Sequence, residues 1–353
     1  MPPLLMAIWC LLSLFLMAHA GAAAVLPTAV QPYTVAVFAS GAADVSSPDS
    51  IAFTSTNVFV GFGNGVAKDG SDGKSSSIVM YDLQGTPLTT FSVKGHNDGL
   101  RIDRKGKLWS MQNEDGNPNL VIIDPRNGNQ TLISTPATNG GGYDDITFAG
   151  RSVFFSASNP SKNPNTDAAI VSATIRGGTA VLTGVLAGNA SATDVTTGKA
   201  VVLNLQDPDS MILDPNGELV LTSQADMELV IVQTPGQTCQ SKFVVPLTTP
   251  DNDRPMADDT VFARSATGRI LVADKTSNTI YSISAPYFAP SAAYAAAQNS
   301  AATVGFVGEL NLTTGRLTPI VTGLGNPGGM AFISTDARLN APQLLVGKTP
   351  RCP

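Results

Sequence analysis

Six times along the chain a polar element carrying Asp, Pro or Gly precedes a short apolar run, a tight turn and a second apolar run. The copies read Ser47-Pro48-Asp49-Ser50-Ile51-Ala52-Phe53, His96-Asn97-Asp98-Gly99-Leu100-Arg101-Ile102, Gly142-Tyr143-Asp144-Asp145-Ile146-Thr147-Phe148, Asp207-Pro208-Asp209-Ser210-Met211-Ile212-Leu213, Ala257-Asp258-Asp259-Thr260-Val261-Phe262 and Asn326-Pro327-Gly328-Gly329-Met330-Ala331-Phe332. Aligned on Asp49, Asp98, Asp144, Asp209, Asp259 and Gly328, they recur at intervals of 49, 46, 65, 50 and 69 residues. Apolar runs this short, bounded by turn residues, predict buried strands. A strand-built period of roughly 40 to 50 residues predicts propeller blades, each burying its faces against its neighbours. The expected fold is therefore all-β, a six-bladed β-propeller over residues 33–347.

The second copy predicts strands at 98–103, 107–111, 119–124 and 130–135, and the fourth predicts 209–214, 218–223, 228–233 and 242–247. Residues 33–38 form an apolar run with no blade of its own. They are expected to close the ring by completing the last blade, pairing near 343–346, since closure removes an exposed sheet edge. That blade then lacks an obvious third strand. Two insertions account for the long intervals: an additional hairpin over 188–205 turning at Thr197-Gly198, and an Ala-rich stretch over 285–302 with residues 291–298 as a short helix. Both are placed to roof the channel.

Residues 4–18 are apolar apart from Ser13, and Ala18-His19-Ala20 has the small-x-small form of a signal-peptidase site. Residues 1–20 are read as a signal peptide, although no Lys or Arg occurs before Lys68. The expected protein is secreted or periplasmic, with no membrane anchor after cleavage and a tail at 348–353. It then carries two cysteines, Cys239 and Cys352, and spacing leaves open whether they pair or stay free thiols. With a net charge of −6, charged residues at 14% and no Lys/Arg cluster along the chain, nucleic acid is an unsuitable partner.

Five of the six copies carry Asp at the start of the innermost strand, where propeller strands crowd the axis. Hard oxygens converging from separate loops suit Ca²⁺ or Mg²⁺, whereas one remaining His and two Cys cannot build a usual zinc site. The competing explanation is local, because Asp also caps turns by accepting backbone N–H bonds. His96, at the expected channel mouth, is a candidate general base. No Gly-x-Ser-x-Gly elbow and no His-Glu-x-x-His occurs.

The runs His96-Asn97-Asp98-Gly99 through Asp103-Arg-Lys-Gly106-Lys-Leu-Trp109, and Asp207-Pro208-Asp209-Ser210-Met211 through Asp214-Pro-Asn-Gly217-Glu-Leu219, resemble blades of the regucalcin and gluconolactonase family. A looser similarity extends to the strictosidine-synthase-like and paraoxonase propellers. The resemblance implies a divalent metal, Ca²⁺ in type, held by acidic and amide side chains at the innermost strand starts and polarising an ester carbonyl. Carried over in blade order, it implies Asp49, Asp209 and Asp259 as ligands with Asp144 facing the substrate; matching on Asn97-Asp98-Gly99 shifts the register and brings in Asp98. The family's first-blade Glu is Asp49 here, and Gly95-His96 stands where its Arg precedes Asn-Asp-Gly. The candidates are thus His96, Asn97 and Asp144 for catalysis and Asp49, Asp98, Asp209 and Asp259 for metal. The expected function is metal-dependent hydrolysis of lactones or related esters, a small-molecule substrate in either case. The alternative is a non-catalytic ligand- or protein-binding propeller whose Asp ring shapes turns.

Overall fold

The computed structural model describes residues 26–137, 139–298 and 304–340. The expected signal peptide, the strand at 343–346 and Cys352 lie outside the described residues. Cys239 is disulfide-bonded.

Almost every described element is a strand. Six antiparallel units of four strands form, and their innermost strands are Pro48–Phe53, Asn97–Ile102, Ile146–Ala149, Pro208–Leu213, Ala257–Phe262 and Pro327–Ser334. Each inner strand touches the next, and the last touches the first, so the units close a ring. Among the described residues six apolar clusters exist, one between each consecutive pair of units. Leu100, Leu108 and Ile123 of the second meet Phe59, Ile78 and Val93 of the first, for example, while Phe38, Ile280 and Ile333 of the sixth meet Val58, Phe62 and Tyr81 of the first. Strands buried on both faces read as unbroken apolar runs, which is what makes the repeat visible in the sequence.

The second and fourth blades have strands at Asn97–Ile102, Leu108–Gln112, Asn119–Ile123 and Gln130–Ser134, and at Pro208–Leu213, Leu219–Ser223, Glu228–Gln233 and Ser241–Pro246. These agree with expectation to within about a residue, the usual scatter at element ends. The hairpin also forms, as Ser191–Asp194 and Ala200–Val202, but it joins the outer edge of the fourth blade beside Ser241–Pro246 and extends that blade sideways. It does not roof the channel.

The last two blades are interleaved. After the fifth inner strand the chain crosses to the sixth blade, lays down Gly268–Asp274 and Thr279–Ser284, then returns to the fifth with Ala293–Ala297, Gly305–Asn311 and Arg316–Leu324. Only then does it supply the sixth inner strand. This crossing explains the longest repeat interval and provides the third strand that the last blade lacked. Thr34–Ser40 is the fourth strand of that blade and closes the ring as expected, but its partner is Thr279–Ser284, with Thr34 opposite Ser284.

The Ala-rich helix is a correction. Ala293–Ala297 is a fully buried strand whose odd residues face the fourth blade and whose even residues face the sixth. Helix propensity is a weak preference, and the second place in a blade, sandwiched between two neighbouring sheets, overrides it in favour of small side chains that fit there. If Thr34–Ser40 closes the ring, Phe38→Ala should cost about 3 kcal/mol on denaturant melting, because Phe38 is buried and edge-on to Tyr81. Val37→Ala, on the exposed face of the same strand, should be near neutral; equal costs would count against this closure.

Candidate functional site

The geometry of the site comes from a bulge repeated at the start of the inner strands. Pro48 pairs with Phe62 and Ile51 with Val60; Asn97 pairs with Gln112 and Leu100 with Ser110; Pro208, Met211, Ala257 and Thr260 repeat the pattern. One extra residue on the inner strand re-aims the side chains between the paired positions. Asp49, Asp98, Asp209 and Asp258, each the residue after such a first pair, and Asp144, two residues before the third inner strand, together line a cavity of about 20 Å³. Such a volume holds one water-sized sphere.

The fifth-blade position belongs to Asp258, one residue before the expected Asp259. Asp259 stands with Asp145 at the next place along, and both are clamps between blades. Asp145 accepts from Ile146 N (2.7 Å) and from Met211 N of the next blade (2.9 Å), and Asp259 accepts from Thr260 N (2.7 Å) and Met330 N (2.7 Å). Arg101 Nη2 reinforces the first clamp with 2.5 Å to Asp145 Oδ2 and 2.8 Å to Met211 O. An Asp whose oxygens are spent on N–H groups has little left for a cation.

The sixth blade has Gly328, and the structure shows why. A Cβ there would stand 2.8 Å from Asp49 Oδ1, 3.2 Å from Lys275 Cε and 3.3 Å from Asp258 Oδ1. The missing side chain leaves room for Lys275, whose ammonium lies 2.8 Å from Asp49 and 3.7 Å from Asp258. Burial pulls Lys275 down, but Asp49, Asp258 and Asp98 outweigh it and hold the amine well above its ordinary range. Burial pushes Asp258 up to about 6, with Lys275 and the amides of Gln298 (2.5 Å) and Gln224 (2.8 Å) opposing the rise.

On the other side of the axis Asp98, Glu114 and Asp144, all buried, each bring one oxygen to within 4.8 Å of the others. Glu114 follows the second strand of the second blade and pairs with Lys68. Burial raises Asp98 and Asp144 well above the carboxylate range, and Glu114 raises both further. For Glu114 the burial effect is outweighed by Lys68, by a hydrogen bond from Asp98 and by His96, so it titrates below its usual range. Of this hydrogen-bonded pair, Asp98 is therefore the member held toward its protonated form and Glu114 the one held toward its charged form. Asp144 Oδ1 is buried without a hydrogen-bond partner. Three carboxyl groups converging from separate segments fit a divalent cation of the calcium or magnesium kind.

The remaining candidates divide. His96 is half-buried; its Nδ1 lies 3.1 Å from Val66 O, and since a carbonyl can only accept, Nδ1 carries the proton and Nε2 is the basic nitrogen. Asn97 is fully buried, with Nδ2 donating to Ser110 Oγ at 2.7 Å and Oδ1 facing Gly61 of the first blade. Its amide is a packing element between blades and does not reach the channel. Asp49 and Asp209 line the axial cavity without joining the triad. Sequence reasoning missed Glu114, Lys68, Lys275 and Asp258, and Gly328, the one copy without Asp, was the visible sign that something else fills the ring.

No protein-family profile matches the chain, and no curated protein sequence matches it. Similar solved structures exist. One, proposed to be a gluconolactonase, has a TM-score of 0.46 at 9% identity over 88% of this chain and 95% of that one. Another, proposed to be a 6-phosphogluconolactonase from Bacteroides uniformis, gives 0.44 at 12% identity over 79% and 85%. A catalytically inactive virginiamycin B lyase from Staphylococcus aureus, solved with quinupristin, gives 0.41 at 11% over 85% and 96%. Two of these three structures bear a gluconolactonase name. The chemistry rests on the residues of this chain alone.

Proposed function

We propose that the protein hydrolyses small lactones or related esters with a divalent cation held by Asp98, Glu114 and Asp144. The observation that carries this reading is the buried triad with its unpartnered Asp144 oxygen. When bound, the cation supplies Lewis acidity toward an ester carbonyl. The chain supplies the rest. Lys68 pairs with Glu114 and Lys275 stands between Asp49 and Asp258, so that among the described residues Asp98, Asp144 and Asp209 are the ring carboxyls that no lysine pairs with. His96, with Nδ1 tied to Val66 O, presents Nε2 as the proton acceptor for water. The disulfide at Cys239 suits an oxidising compartment and supports the reading of an exported protein.

The same two ammonium groups favour a second reading, in which the ring is balanced internally and the propeller only binds. Turnover separates them. With δ-valerolactone and p-nitrophenyl acetate as probes, the calcium-loaded protein should hydrolyse at least one, chelator should stop it, and His96→Asn should lower kcat by roughly 10²- to 10⁴-fold with little change in KM. Cation binding without turnover of either probe would select the binding module.

A further inference from the structure

The channel has a second end. Below the acidic ring the inner strands run away from the bulges and finish around a cavity of about 330 Å³, far larger than the axial one. Its walls are apolar, formed by Ile102, Phe148, Ile212, Phe262 and Phe332 among others. At about 30 Å³ per heavy atom, the share of a water molecule in the liquid, it holds roughly ten to twelve heavy atoms. That is the lower range of small-ligand pockets.

The charge around this cavity opposes that of the protein. Arg104 and Lys105, from the turn after the second inner strand, and Arg151, from the turn after the third, are exposed beside it; Arg101 and Arg264 also line it. Two carboxylates stand among the described lining residues, and both are occupied. Asp103 accepts from Lys105 N (2.8 Å), Lys107 N (2.9 Å) and Trp109 Nε1 (3.1 Å), and Asp259 is the clamp described above. A chain of net charge −6 therefore gathers five cations round one apolar hollow, with all five axis-facing carboxylates at the other end. Arg101, bonded to Asp145 and Met211 O, lines both cavities and stands between them. An apolar pocket with a positive rim matches an apolar body ending in a negative charge.

We propose that this pocket binds a monoanionic amphiphile, a carboxylate on an unbranched apolar chain, with the head at Arg104, Lys105 and Arg151 and the tail among Phe148, Ile212, Phe262 and Phe332. The site is independent of the triad and of the hydrolytic reading. Trp109 makes the test direct. It lines the pocket, lies edge-on to Phe148 at 5.2 Å, and is the sole Trp among the described residues.

Titrating the full chain with decanoate should give a saturable change in Trp fluorescence, checked by calorimetry. Decanol, equal in length and uncharged, should bind about tenfold more weakly. Arg104→Glu/Arg151→Glu alters two exposed turn residues, which leaves folding intact, and should weaken decanoate by about tenfold while leaving decanol unchanged. Asp144→Asn should leave decanoate binding as it was, so a failure of the hydrolytic reading is read separately. Three results overturn the proposal: no saturable binding of decanoate by either method, equal affinity for decanoate and decanol, or a charge-reversed protein that binds decanoate as before.

Discussion

Asp144→Asn should abolish the stabilisation of the protein by a divalent cation. Binding to the folded state alone adds RT ln(1 + [L]/Kd), so calcium at a hundredfold excess over Kd should raise wild-type stability by about 2.7 kcal/mol. Asp98→Asn should behave alike, because each of the two residues supplies one oxygen of a three-oxygen site. Asp209→Asn is the contrast. Its carboxyl is raised by burial first and then by Asp258, Asp144 and Asp207, so removing its charge relieves repulsion and should leave the calcium response in place. The response should also grow with pH, since cation and proton compete for the same oxygens.

The sign follows from the raised carboxyls. A buried acid whose folded pKa exceeds its unfolded one binds more protons folded; its stabilising contribution is complete below the ordinary carboxylate range and is lost as pH rises through the folded value. Asp258 is pushed up to about 6 and Asp259 to about 7, in both cases chiefly by burial. In chelator the protein should therefore melt higher at pH 5 than at pH 8, and calcium should help more at pH 8. A calcium effect of the same size in Asp144→Asn as in wild type, or one that shrinks as pH rises, would remove the triad as the site.

How much of this was legible depended on whether a feature repeats. The blades at 97–134 and 208–246 were readable because Gly106 and Gly217 mark their turns and the second strands, Leu108–Gln112 and Leu219–Ser223, are buried along their whole length. The exchange of strands between the last two blades was not, since Gly268–Asp274 reads the same whichever inner strand it pairs with. The alanines at 293–297 were misread because local preference is visible in a sequence and a neighbouring sheet is not. In the site, the repeated Asp was plain but its phase was not: Asp258 and Asp259 are adjacent, and only the bulge decides which one faces the axis. Lys68, Glu114 and Lys275 each come from a loop that occurs once, so no pattern announces them. Three cations of the basic mouth, Arg101, Arg104 and Lys105, lie close together in the sequence, but Arg151 and Arg264 join them only in space, so the five-residue group was not legible along the chain.

Lys275→Met should cost about 3 to 5 kcal/mol, the range for removing one partner of a buried ion pair and leaving the other uncompensated. Its ammonium stands between Asp49 and Asp258, and without it two buried carboxylates face each other beside Asp98. The loss should be largest above pH 7. Below pH 6 it should shrink, because protonation of Asp258 removes one of the two charges that Lys275 was meeting. Asp258→Asn in the same chain should recover much of the loss at pH 8 and add little at pH 5, and that pH-dependent recovery separates lost charge from lost packing, which would be insensitive to both. Gly328→Ala probes the same volume from the other side: its Cβ presses on Asp49 and on the Lys275 stem, so it too should destabilise, and in the Lys275→Met background, where the ammonium is gone, the added cost should change. If Lys275→Met melts within about 0.5 kcal/mol of wild type at pH 8, or if Asp258→Asn brings no recovery, Lys275 is not the counter-charge of this ring, and the sixth blade's glycine must answer to some other neighbour.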